Sequence, residues 1–332
     1  MGNFLLDHAM VIIILALVVY IQARRPAFLK TASIVNIITL TASRLPMALG
    51  IAGAIILTGT DLSAGRAVGL TAFLSAIFLQ KVGVIGRFLP NAALPLPATL
   101  PLPAVLLAAM AVGGLVGAVN GFCVTKFKLH PFIVTLATQL VIYGLYLSAS
   151  GAKQISSLDA RYTSEFVTRA LFKVGTTSVM SYVLFSAIVT AVIWIIWNKT
   201  AFGKNMFAVG SNEEAARVSG VNVTMTVICV FMLAGITYGY TGFVEAARLG
   251  ASTGTLGLNY ELDAIAACVI GGVSFIGGIG KVSGVIVGVF LMQVIISGMT
   301  FLGISGNQTY IIKGLVILVA CAIDMRKYLS KK

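Results

Sequence analysis

Apolar runs close to twenty residues long recur along this chain of 332 residues, with short polar stretches between them. Crossing a hydrocarbon core of ~30 Å takes about 20 apolar helical residues. Candidate spans fall at roughly 9–23, 34–58, 62–80, 101–125, 132–149, 178–197, 223–244, 263–279, 282–300 and 308–325. The pattern predicts an all-α polytopic membrane protein with about ten transmembrane helices in a single domain over 1–332, both termini on one side. The first and eighth runs are short for a full crossing.

Composition supports a lipid environment. Apolar residues make up 58% and charged residues 10%, against about 25% charged in an ordinary soluble domain. The net charge of +13 does not point to nucleic acid, because Lys and Arg are scattered through short loops without an interleaved aromatic platform. Basic loops instead mark the cytoplasmic side. With ten spans, Lys126 and Lys128, Lys199, Lys204 and Arg217, and the tail residues Arg326, Lys327, Lys331 and Lys332 share one face. Both termini are therefore expected in the cytoplasm, although Arg24, Arg25 and Lys30 fall on the other face. No Lys or Arg precedes the first run, so it reads as an anchor and not a secretory signal. Four cysteines without a C-x-x-C pair, and two histidines, suggest neither a disulfide frame nor a metal site.

The longest polar passage with helix grammar is Trp197 to Val221. Ser211 and Glu214 are spaced as a capping box, and Gly220 supplies a stop, which predicts a helix of about eight residues. At roughly 12 Å it cannot span a bilayer. It presents Glu213, Glu214 and Arg217 either to water or to a protein. On the opposite face two outer loops stand out. Residues 90–103 hold Pro90, Pro95, Pro97, Pro101 and Pro103, a density that favours extended chain. The extracytoplasmic loop 150–177 is either solvated or a dock for a binding protein.

Glycines at four-residue spacing, Gly113, Gly117 and Gly121, and Gly280, Gly284 and Gly288, form stripes along which two helices can approach closely, or move. Two glycine clusters, Gly59 to Gly65 and Gly271 to Gly280, are either turns between spans or breaks beside a pathway. In the first, Thr60 or Asp61 is placed to cap the following helix. Arg44 and Lys313 lie inside spans, and Glu245, Arg248, Glu261 and Asp263 gather near the outer ends of the seventh and eighth. Such charges form either a tie between spans or a gate. The candidate path or gate residues are Asp61, Ser63, Asn120, Tyr260, Glu261, Asp263 and Ser274, with Asn259, Tyr238 and Tyr240 as further sugar-contact candidates. No catalytic cluster and no phosphate-binding loop is present, since neither Gly203-Lys204 nor Gly280-Lys281 has the required flanks. The chain binds no cofactor of its own on this reading.

Four stretches, Gly59 to Arg66, Asn198 to Val223, Tyr260 to Cys268 and Gly271 to Gly280, resemble the ABC importer permeases of the monosaccharide (ribose/galactose-type) family. The likeness extends over nearly the whole chain and is strongest to the galactose type. It implies the permease fold, with 198–222 as a cytoplasmic coupling loop whose helix docks on an ATPase. Ser211, Glu213, Glu214, Ala215, Ala216, Arg217 and Gly220 would form that dock. It further implies a partner ATPase with two fused nucleotide domains that binds Mg-ATP, an extracytoplasmic sugar-binding protein, a permease homodimer, and a bacterial inner membrane. The cargo implied is galactose, glucose or methyl-galactoside; ribose and nucleoside permeases share much of the pattern. An ion-coupled secondary transporter is the alternative of another class, and would call for paired mid-span carboxylates.

Overall fold

A computed structural model describes residues 14–84, 87–88 and 101–329. The proline-rich stretch from 90 to 100 and the two termini lie outside the described residues. The helices are α1 (Ile14–Arg24), α2 (Thr31–Ile56), α3 (Ala64–Phe78), α4 (Leu102–Lys126), α5 (Pro131–Ser150), α6 (Ser181–Lys199), α7 (Ala201–Ser211), α8 (Glu213–Val218), α9 (Val223–Leu249), α10 (Tyr260–Ile270), α11 (Val282–Phe301) and α12 (Gly306–Leu329). Six of them, α2, α4, α5, α6, α9 and α11, are long and apolar enough to cross a membrane.

Local chemistry sets their ends. Pro131 opens α5 at a position where its missing N–H has no partner to lose, and Gly151 closes it at φ 57°. Asn222 caps α9, its Oδ1 accepting from Met225 N at 3.0 Å, and Gly250 ends it at φ 67°.

Helices α2 and α9 form the centre: 72% and 67% of their apolar windows are buried, against 22% for α5. Contact between α4 and α9 runs backbone to backbone. A Cβ on Gly113 would overlap the Gly235 carbonyl oxygen, one on Gly117 that of Phe231, and one on Gly121 would press on the Ile228 backbone. The same device joins α10 to α11, where Gly288 faces the Ala267 carbonyl and Gly284 faces Gly271. Lipid gives apolar side chains no incentive to associate, so close dispersion contact between small residues holds such pairs together. Gly280 differs, because it faces the end of the Ile56 side chain and no backbone.

Three expectations change. The third run gives a helix of only 15 residues, and the eighth gives 11, Tyr260–Ile270, with turns where 271–279 was expected to continue. Gly272, Gly277 and Gly278 take φ of 80°, 91° and 68°, which a helix cannot accommodate. Loop 150–177 is not a plain solvated loop: it holds a π-turn at Thr163–Val167 and contributes to a hairpin of β1 (Ala170–Val174) with β2 (Thr177–Met180). Tyr162 is fully buried there and its hydroxyl donates to the Phe243 carbonyl. Bridges Gln80–Leu158 and Ile155–Ser252 hold this loop against the ends of α3 and α9.

Candidate functional site

The first candidate surface is α7–α8. Thr200 caps α7, its Oγ1 accepting from Gly203 N at 3.2 Å. The expected Ser211–Glu214 capping box does not form. Ser211 is the last residue of α7 and its hydroxyl donates to Phe207 O at 2.8 Å, so Asn212 caps α8 and accepts from Ala215 N at 2.9 Å. Asparagine is as good a cap as serine, and Asn212 has the extended backbone a cap needs. The helix is therefore six residues, Glu213–Val218, closed by Gly220 at φ 84°. Ala216 packs inward, while Ala215 and the charged groups face out. Arg217 pairs with Glu213 at 2.6 Å and lies 3.7 Å from Glu214. Val218, which the sequence reading passed over, is 88% exposed beside these charges. Its signal was an apolar residue in an otherwise polar turn.

The second candidate lies inside the bundle. Asp61 Oδ1 accepts from Ser63 N at 2.9 Å and from Ser63 Oγ at 2.6 Å, and Tyr238 OH donates to Oδ2 at 3.1 Å. Asn120 Nδ2 donates to Ser63 Oγ at 2.9 Å, and Thr138 Oγ1 donates to Asn120 Oδ1 at 2.7 Å. Ser63, not Thr60 or Asp61, occupies the cap position of α3, and the Asp61 carboxylate reaches forward to accept from Ser63 itself. Asp61, Ser63 and Asn120 are all buried. The network thus ties the turn between α2 and α3 to α4, α5 and α9.

A third group of side chains bridges α2, α9 and α10. Glu245 is fully buried and accepts from Arg248 at 3.0 and 2.8 Å, with Arg44 at 3.7 Å and Tyr260 OH donating at 3.3 Å. The Arg44 guanidinium lies 3.3 Å from the centre of the Tyr260 ring. Lys313 pairs with Asp263 Oδ2 at 2.7 Å. Beside these groups lies a small open cleft between α2, α10 and α11. Arg44, Tyr260, Asp263 and Gln293 give it polar walls among methionine, alanine and valine. Asp263 Oδ1 and Glu261 Oε2 are buried with no hydrogen-bond partner among the described residues.

The path candidates consequently separate. Asp61, Ser63 and Asn120 meet in the central network, and Tyr260 and Asp263 line the cleft. Glu261 abuts Gly65 in the first turn of α3, and Ser274 sits apart in the α10–α11 turn, where its amide donates to Ile279 O. Among the sugar-contact candidates, Tyr240 bonds Ser186 at 3.0 Å, and Asn259 takes φ 61° before α10 without a side-chain cap bond.

A family model described as branched-chain amino acid transport system / permease component matches residues 33–321. The chain belongs to this family of transport permeases. The permease is 44% identical to the galactose/methyl galactoside import permease protein of Haemophilus influenzae, over 99% of this chain and 97% of that one. It is 42% identical to the protein of that name from Escherichia coli K12, again over 99% and 97%. With the ribose import permease protein of Bacillus subtilis it shares 32% identity over 94% and 90% of the two chains. No solved structure matches the permease.

Bilayer-spanning helices and family membership make it a multi-pass membrane protein. Charge at membrane depth is paired or faces a cavity, and most of its buried carboxylates have partners, Glu261 excepted among the described residues. Glu245 and Asp263 have cationic partners, and Asp61 has three hydrogen-bond donors.

Proposed function

We propose that this permease is the membrane subunit of an ATP-driven importer of a galactose-type monosaccharide. One observation carries the mechanism: α8, a six-residue polar helix too short for any membrane role, presents Val218, Glu213, Glu214 and Arg217 from a chain that has no nucleotide-binding motif. An exposed apolar residue rimmed by charge suits a protein groove, and ATP energy must enter through a partner. That partner is an ATPase with two fused nucleotide domains, holding Mg-ATP, and a sugar-binding protein delivers cargo on the other face. Galactose, glucose or methyl-galactoside as cargo rests on relatives 42–44% identical, against 32% for a ribose permease.

In this reading α1, α3, the α10–turn unit and α12 complete about ten crossings in the inner membrane, with both termini and α8 in the cytoplasm. The permease works as a homodimer, and loop 150–177 receives the binding protein. The cleft beside Arg44, Tyr260 and Asp263 lines the path, where a carboxylate and an amide suit sugar hydroxyls and an aromatic ring suits a sugar's C–H face. Cation partners on Glu245 and Asp263 disfavour an ion-coupled carrier.

Radiolabelled galactose uptake into proteoliposomes is the test. Accumulation should need ATP, the ATPase and the binding protein together. Ion-driven accumulation by the permease alone would overturn the proposal.

A further inference from the structure

The glycine turn between α10 and α11 touches the end of α7, one of the two segments that flank α8. Gly278 N donates to the Ile56 carbonyl at 2.8 Å, so the last residue of α2 is bonded to this turn. A Cβ on Gly210, in the last turn of α7, would overlap that same Ile56 oxygen. One on Gly277 would overlap both the Gly210 carbonyl oxygen and Thr58, and one on Gly278 would overlap Ser211. Three segments therefore meet backbone to backbone at Gly210, Gly277 and Gly278, with the short Thr58 and Ser211 side chains beside the turn, and the residue after Ser211 is the α8 cap, Asn212.

We infer that the Gly277–Gly278 turn positions the coupling helix and passes its displacement into the bundle. The inference rests on the coupling role given to α8 above. Backbone packed directly on backbone has no rotamer to yield, so a shift at Gly210–Ser211 must move the turn or break the contact. From the turn, two rigid elements lead to the polar centre. Helix α10 runs back from Ile270 to Tyr260 and Asp263, about 15 Å at 1.5 Å per residue. Helix α2 runs from Ile56 to Arg44, about 18 Å by the same measure. Both reach the cleft from its two sides, since Arg44 and Met47 belong to α2 while Tyr260, Asp263, Ala264 and Ala267 belong to α10. Movement of α8 thereby changes the walls of the cleft. Coupling is an energetic link and is established by measurement.

Four alanine variants in one complex supply it, with permease, ATPase and binding protein reconstituted and galactose transported per ATP hydrolysed as the readout. Gly210→Ala adds a Cβ against backbone at a helical position, with no positive-φ cost. Gly278→Ala adds both a contact and the cost of φ 68°. Gly272→Ala carries the cost of φ 80° with nothing within 4 Å, and Gly280→Ala meets side-chain atoms of Ile56 and Val273 and no backbone. Gly210→Ala and Gly278→Ala should each lower the ratio about tenfold, while the other two stay within about twofold. If Gly210→Ala fails to assemble, the comparison of Gly278→Ala with Gly272→Ala decides alone. Equal effects in all four variants, or none in any, would overturn the inference. Glu214→Arg, run in parallel, separates the two readings. Should it uncouple the complex while the turn variants do not, α8 is the dock and the turn plays no part; should it change nothing, the coupling role of α8 fails first.

Discussion

Glu245 is the residue on which most charge depends. It is fully buried and is shared between Arg44 and Arg248, with Tyr260 donating a further bond. Replacing it with Gln keeps the shape and removes the charge, leaving two guanidinium groups without a counter-ion in the bundle. Breaking one side of a buried ion pair costs about 3–5 kcal/mol. Glu245→Gln should therefore lower the thermal unfolding temperature of the detergent-solubilised permease by many degrees. A melting curve within 2 °C of wild type, as a rough bound, would contradict that role. Asn212 gives a smaller, local test. Asn212→Ala removes the α8 cap and should cost about 1 kcal/mol. Amide exchange at Ala215 should then quicken about fivefold, whereas Ser211→Ala, which loses only a bond within α7, should leave it near wild type. The reverse order of effects would restore the capping box.

At the scale of elements, the contact between α4 and α9 makes a sharp prediction. Gly117 faces the Phe231 carbonyl, and neither helix can give way without losing the contacts above and below. Gly117→Val should destabilise the pair by about 1–3 kcal/mol or more through overpacking. The same change at Gly144, which has open space around it, should be nearly neutral. Comparable losses of folded protein at both positions, measured by size-exclusion yield, would refute the close packing. Elements of this kind were legible in the sequence, because a helical period converts four-residue spacing directly into a stripe. Long apolar runs were legible because about 20 helical residues match the thickness of a hydrocarbon core. Helix ends were not: Ser211 and Asn212 are both good caps, and the choice depended on α7 continuing one residue further. The end of α10 was misplaced because Val273, Phe275 and Ile276 are apolar enough to extend a span, while the glycines among them take positive φ. Convergence of the site was hidden for a different reason. Asp61 and Tyr238 are 177 residues apart, and Ser63 and Asn120 are 57 apart, so only packing brings them together.

For the whole molecule, the two ends of the bundle gather different segments. One end gathers the Ile56, Gly210 and Gly278 backbones beside α8. The other gathers the α3 end, loop 150–177 and the stretch after α9 through the bridges at Leu158 and Ser252. Helices α2, α9 and α10 join the ends and hold the charged groups between them. Energy arriving at α8 and cargo arriving at the opposite face is the division this arrangement favours. The measurement that tests it most directly is ATP hydrolysis by the reconstituted complex, with and without galactose, comparing wild type with Glu214→Arg. The account predicts galactose-stimulated hydrolysis that the charge reversal abolishes. Hydrolysis indifferent to galactose and to Glu214→Arg would contradict it.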